Sequence, residues 1–380
     1  MSGLWEPRLD RLRARRSDKW TAFDSDVLPL PVAEADVRLA APVARVLRDA
    51  VDNSDTGYAG DSTALRTAFA GFAARRWDWM LDPADTRACA DVATGITEVL
   101  RLLVRPGEPV LLCPPVYPPF WAWLDAVAAR PAEVPLRPGG QLDLPAIETA
   151  LTGGNIRVLL LCHPQNPTGR VNRPDELHEL ATLAARHQVT VLSDEIHAPL
   201  TLPGTRFVSY LSVSPEAAAT GIAFHSPSKA WNLAGLKCAL IVATDPARRQ
   251  VMERLPYDLR WGIGHFGLIA GEAAYEEGEP WLDELRDALA DNAALVASLL
   301  AEHLPLVDFR VPEATYLAWL DCRGMGLGHD PAATFLTRGR VALSPGPGFG
   351  APGLGYARLN LATHPDLLRE AVTRMVAATG

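Results

Sequence analysis

The chain has 380 residues, 48% of them hydrophobic and 21% charged, with a formal net charge of -9 at pH 7. That length can bury a large core, and a prior of ~150 residues per domain predicts about two domains. The acidic balance argues against wholesale binding of nucleic acid or of an anionic membrane, and no basic stripe is long enough to reverse it.

The first forty residues hold no strong strand. Residues 8–19 are basic, but Leu4, Leu9 and Leu12 fall at helical spacing and predict an arm helix. Charges stand where a signal peptide needs its apolar stretch, and no apolar run reaches ~18 residues, so a cytoplasmic protein is expected. Short apolar runs follow at 88–93, 110–113, 158–162, 189–193, 220–224 and 239–243. Several are continuous rather than alternating, the pattern of strands buried on both faces of a mainly parallel sheet. Helical stretches lie between them at 96–104, 121–128, 174–186 and 247–255. Asp245-Pro246 and Asp143-Leu144-Pro145 read as helix starts, with an N-cap and an early proline.

After Gly278 the pattern changes. A long helix over 281–304 precedes strand candidates at 307–311, 315–320, 341–343 and 357–361, and a last helix over 365–377. The expected division is an arm or part of the small domain over 1–40, a large α/β domain over 41–280, and a smaller α+β domain over 281–380. The cysteines Cys89, Cys113, Cys162, Cys238 and Cys322 are odd in number and match no zinc or C-x-x-C spacing. They read as buried thiols in a reducing compartment.

Four chemistry-bearing stretches fall at ends of predicted strands: Thr94-Gly95-Ile96-Thr97, Asn166-Pro167-Thr168-Gly169, Asp194-Glu195-Ile196-His197, and the run from Ser226 to Lys237. In open α/β sheets the carboxyl ends of strands face the ligand crevice. Lysine adds weight to the last run. Lys19, Lys229 and Lys237 are the lysines of a chain with 36 basic residues. A chain so biased to arginine keeps an amine where a guanidinium cannot deprotonate or form a Schiff base. The bland alternative for Lys229 is a surface lysine in a turn, and spacing alone does not separate the two. Gly95 alone could be a turn glycine and Asp194 a strand-end cap. Together the groups suit a phosphorylated pyridine aldehyde: a helix N-terminus for phosphate, a carboxylate for a pyridinium, a lysine for the imine.

These stretches, with Ser17-Asp18-Lys19-Trp20, Val32-Ala33-Glu34-Ala35-Asp36, Gly57-Tyr58, Pro114 to Phe120, Thr315 to Asp321 and Arg358-Leu359-Asn360, resemble the fold-type-I pyridoxal-phosphate enzymes of the aminotransferase class I/II superfamily. The closer resemblance is to the MalY/PatB-like cystathionine β-lyase (C–S lyase) branch, over nearly the whole chain. It implies a large domain with a mainly parallel seven-stranded sheet and a smaller α+β domain.

It also implies roles. Lys229 would be the Schiff-base lysine and the acid/base at the substrate Cα. Asp194 would pair with the pyridine nitrogen, Asn166 with the 3-oxygen, and Tyr117 would stack on the ring and border the substrate. His197 would lie near the 3-oxygen. Ile96 and Thr97 would bring amides, and Ser226, Ser228 and Lys237 side chains, toward the phosphate of pyridoxal 5'-phosphate. Tyr58 would serve the phosphate of a neighbouring subunit, which implies a homodimer with shared sites. Arg358 would clamp the substrate carboxylate, with Ala33 close by.

Three departures stand out. His163 replaces the usual Asn, Thr94 the usual Pro, and Ala35 a larger residue near the substrate. His197 in Asp-Glu-Ile-His, where aminotransferases usually carry Tyr, favours β-elimination from an L-cysteine thioether to thiol, pyruvate and ammonia. An aminotransferase is the alternative. A fold used chiefly to bind a partner is the third reading, opposed by the intact Lys229, Asp194 and Asn166. Trp121, Trp123 and Trp231 suggest a roomy aromatic pocket, or core.

Overall fold

A computed structural model describes residues 3–380. Seven strands form the large sheet: β1 (Thr86–Cys89), β2 (Pro109–Leu112), β3 (Arg130–Glu133), β4 (Val158–Cys162), β5 (Thr190–Asp194), β6 (Gly221–His225) and β7 (Ala239–Val242). Their spatial order is β1-β7-β6-β5-β4-β2-β3. β7 runs antiparallel to both its neighbours, and the other pairs are parallel.

The continuous apolar runs have the expected cause. In β4, Val158, Leu160 and Cys162 enter one apolar cluster while Leu159 and Leu161 enter another on the opposite face. Each such side chain contributes about 1.5–3 kcal/mol when fully buried. Helices Val92–Leu103, Pro119–Asp125 and Pro246–Glu253 cover the first face. Thr63–Trp77, Leu144–Gly153 and Pro174–His187 cover the second.

Two expectations shift. The strand expected over 88–93 ends at Cys89, because Asp91 caps a helix that begins at Val92: its Oδ1 accepts from the Thr94 N–H at 2.7 Å. The arm helix expected over 8–19 is broken into Leu9–Arg13 and Asp18–Thr21. The edge strand β3 and the helix Thr63–Trp77 were not expected. β3 is mostly exposed and polar, and the helix is buried on too many sides to show one apolar stripe.

The C-terminal part holds a four-stranded antiparallel sheet in the order Ser344–Pro345, Tyr356–Asn360, Leu317–Asp321, Asp308–Phe309. Helices Glu279–His303 and Pro365–Ala377 pack with it, and Asn292 ties the first to the carbonyls of Leu361 and Thr363. Leu28–Pro29 pairs in parallel with Val341–Ala342, so the N-terminal segment is stitched to this C-terminal part. Among the described residues no helix is long and apolar enough to cross a membrane.

Candidate active site

The carboxyl ends of β1, β4, β5 and β6 open on one cavity of about 280 Å³. Ala33, Tyr117, Trp123, Asn166, Asp194, His197, Ser226, Ser228, Lys229 and Lys237 are among its walls. Most of the residues expected at the site therefore meet there, although they are spread over two hundred positions of chain.

Asp194 ends β5. Its carboxylate is buried and accepts from the Ile196 N–H at 3.1 Å. Burial, with Glu195 beside it, pushes its pKa up to about 7, although the Ile196 amide and Lys229 pull the other way. Lys229 follows β6, and its Nζ donates to the Ala33 carbonyl at 3.0 Å. Burial and the positive charge of Arg358 bring its pKa down to about 8, against the pull of Glu34 and Asp194. His197 is buried, and burial with Lys229 and Arg358 holds its pKa at about 3, so it is a neutral imidazole at pH 7. Its Nδ1 is buried without a hydrogen-bond partner.

Arg358 is buried behind the cavity rather than among its walls. It donates to Asn166 Oδ1 at 2.9 Å, to the Pro31 carbonyl at 2.9 Å and to Ser344 Oγ at 3.0 Å, and its carbon lies 5.0 Å from the Phe349 ring centroid. Burial lowers its pKa to about 10, which leaves it cationic at pH 7. The bond to Asn166 has a consequence. With Oδ1 taken, the Asn166 amide nitrogen is the group left to donate into the cavity.

The phosphate end departs from expectation. The helix starts at Val92, so its first amides belong to Val92 and Ala93, both cavity walls. Ile96 and Thr97 lie in the second turn, where their amides belong to the helix ladder, and Ile96 is packed in the core. The open amides of this helix therefore lie four residues earlier than expected. Ser226 Oγ donates to the Cys238 carbonyl at 2.6 Å and accepts from the Ser228 N–H at 3.1 Å, which commits its proton to the backbone. Ser228 and Lys237 remain as walls, with Lys237 Nζ 3.0 Å from Asp91 Oδ2. Burial acts to raise the Asp91 pKa, but the Thr94 amide and Lys237 outweigh it and hold it below the usual range.

Tyr58 lies outside this cavity. It is 83% exposed and meets Trp261 edge-on at 5.3 Å, beside a separate hollow of about 690 Å³ that includes Arg66, Arg249 and Arg260. Of the three tryptophans, Trp123 alone is a cavity wall. Trp231 is core, its indole donating to the Gly278 carbonyl, and Trp121 reaches Glu133 at the surface.

Sequence reasoning missed how residues 31–35 are held. Their five carbonyls each accept from a side chain: Pro31 from Arg358 and Ser344, Val32 from Asn360, Ala33 from Lys229 and Tyr316, Glu34 from Asn360 and Lys19, Ala35 from Asn232 and Arg15. Asp36 closes the strap, bound to Lys19 at 2.7 Å and to the Trp20 indole at 2.9 Å. Lys19 and Trp20 of the motif Ser-Asp-Lys-Trp thus hold the motif Val-Ala-Glu-Ala-Asp, whose Ala33 is a cavity wall. Nothing in the spacing of single residues announces donors drawn from five separate segments.

The donor set fits pyridoxal phosphate. A buried carboxylate pushed up toward neutrality makes no direct ion pair among the described residues, a pyridinium would give it one, and His197 Nδ1 is unpaired at the same cavity. Helix amides with a lysine suit the phosphate, and the amine of Lys229 suits the aldehyde.

The sequence profile described as "Aminotransferase class I and II" matches residues 28–375. The cystathionine beta-lyase of Corynebacterium glutamicum is 38% identical over 97% of this chain and 98% of its own. Cystathionine beta-lyase PatB of Bacillus subtilis is 32% identical over 93% of each. Cystalysin of Treponema denticola, whose crystal structure contains a pyridoxal 5'-phosphate cofactor, superposes with a TM-score of 0.90 at 26% identity over 96% of both chains. The chain belongs to the aminotransferase class I and II family and is a fold-type-I pyridoxal-phosphate enzyme.

Proposed function

We propose that the chain is a C–S β-lyase that cleaves L-cystathionine or a related L-cysteine thioether into thiol, pyruvate and ammonia. The observation that carries this reading is the full-length likeness to a cystathionine beta-lyase at 38% identity, and the meeting of Lys229, Asp194 and His197 in one cavity supports it. The curated relatives that bear the lyase name support it over nearly full length.

Pyridoxal phosphate, when bound, supplies an aldehyde for the substrate amine and a ring that takes up the electron pair left at Cα. Lys229 has the pKa of a base at working pH and takes the Cα proton. Asp194 offers its charge to the pyridine nitrogen, and Asn166 offers its amide N–H to the 3-oxygen. Tyr117 lies along the cavity wall for stacking. Val92, Ala93, Ser228 and Lys237 face the phosphate. Arg358, whose guanidinium stands behind Asn166, supplies the positive charge toward which the substrate carboxylate turns. Tyr58 serves the phosphate of a second subunit in a homodimer. The five free, buried cysteines suit a reducing, cytoplasmic setting.

The test is to incubate the holoenzyme with L-cystathionine and with S-methyl-L-cysteine, assaying thiol, pyruvate and keto-acid exchange together. We expect thiol and pyruvate in equal amounts without added keto acid. Amino transfer to a keto acid without thiol release from any thioether would replace this reading with the aminotransferase one.

A further inference from the structure

The Ala33 carbonyl carries two donors. Lys229 Nζ approaches at 3.0 Å and the Tyr316 hydroxyl at 2.8 Å. Tyr316 is 1% exposed, and its ring meets His197 edge-on with centroids 6.1 Å apart. It stands at Thr315-Tyr316, just before the strand Leu317–Asp321, while Lys229 follows β6 in the other part of the molecule. The carbonyl between them belongs to the strap, whose neighbouring carbonyls are fixed by Asn360, Arg358 and Ser344. A buried hydroxyl that spends its proton on a backbone carbonyl fixes that carbonyl in angle as well as in place.

We propose that Tyr316 is a positioning residue for proton transfer: through the Ala33 carbonyl it sets where the free amine of Lys229 rests. The inference rests on the reading of Lys229 as the base. In that role the amine must be free of the cofactor while it moves the Cα proton, and the structure gives the site where a free amine rests. An amine that donates one N–H to a fixed acceptor keeps its lone pair on the far side, available for a proton. In the transfer, the nitrogen lone pair forms the new N–H bond, and the C–H electron pair stays with the substrate carbon. The ammonium then formed is held on the same carbonyl, with Asp194 and Glu34 as the nearby anions, Arg358 as the nearby cation and His197 neutral.

Tyr316→Phe keeps the ring against His197 and removes the hydroxyl. With L-alanine, which has no thiolate to expel, the holoenzyme exchanges the Cα hydrogen with deuterated solvent. We expect the exchange rate constant at saturation to fall about tenfold or more with KM and cofactor affinity within about twofold, a loss on the proton-transfer barrier. In the cofactor-free protein, the pH midpoint for labelling Lys229 with fluorodinitrobenzene should rise, because the carbonyl, relieved of the hydroxyl, holds the ammonium more tightly. Unchanged exchange and an unchanged midpoint overturn the inference, as does a parallel loss of cofactor affinity, which marks a merely structural role. Lys229→Ala separates the two readings. If exchange survives in Lys229→Ala, the base assignment fails; if it is lost there but intact in Tyr316→Phe, this inference alone fails. Should Tyr316→Phe not fold, 3-fluorotyrosine at this position keeps shape and hydroxyl and strengthens the donor, and an exchange rate indifferent to it overturns the inference equally.

Discussion

Lys229, Lys19 and Lys237 are the lysines of this chain, and each does something different. Lys237 pairs with Asp91, the cap of helix Val92–Leu103. Lys19 is fully buried and serves a structural ion pair with Asp36. Only for Lys229 does the ability to lose a proton matter. Uptake of pyridoxal phosphate needs its neutral form, which grows as pH rises through about 8. The rate of uptake by the cofactor-free protein should therefore climb from pH 6, reach half its maximum near pH 8 and level off roughly a unit above that, as followed by absorbance. A flat profile would mean that the amine is not the titrating group.

Asp194 gives a second prediction at the same scale. Its folded pKa, about 7, lies above the ordinary 3.8. The folded protein thus binds this proton more tightly than the unfolded chain does. Stability from this group is full below about pH 4 and is lost as pH rises through 7, a cost on the order of 4 kcal/mol that a bound pyridinium would offset. Cofactor-free Asp194→Asn should melt higher than the parent protein at pH 8, bind cofactor much more weakly and turn over far more slowly. A variant that melts lower, yet binds cofactor tightly, would contradict the pairing.

At the scale of elements, the strap is the part least legible in the sequence. The buried strands β4 to β7 could be read because each carries a continuous run of mostly apolar residues, with Ser193, Asp194 and His225 at the carboxyl ends of β5 and β6. The helix Pro365–Ala377 could be read from its periodicity. The strap has no periodicity, because it is held by side chains acting on its carbonyls. The start of helix Val92–Leu103 was misplaced by one helical turn for a related reason: Gly95 drew attention, but Asp91 sets the cap. Asp36→Ala tests the strap. It would strand the buried Lys19 ammonium and free the Trp20 indole. Removing one partner of a buried pair costs about 3–5 kcal/mol. We expect the urea midpoint to fall accordingly and kcat to fall with it, since the strap that carries the Ala33 carbonyl loses the tie at its Asp36 end. Replacing Lys19 and Asp36 together by Met and Leu should recover most of the stability.

At the scale of the whole molecule, one expected site residue stays apart from the others. Tyr58 projects from the loop before helix Thr63–Trp77, and near it stand Tyr257 and Trp261, also exposed, with Arg260 over both of their rings. Exposed aromatics gathered with an arginine are typical of surfaces that meet a partner. In a symmetric dimer the same patch acts twice, so each Tyr58 could complete the cavity of the other chain. Complementation tests this directly. Tyr58→Phe and Lys229→Ala would each be nearly inactive as homodimers. Random exchange of equal amounts makes half of the dimers mixed, and each mixed dimer carries one site with both Tyr58 and Lys229 intact, so activity should return to about a quarter of the parent value. If Tyr58 instead served its own chain, every site in a mixed dimer would lack one of the two groups. Activity would then stay at the sum of the parents, even with exchange verified by mass spectrometry.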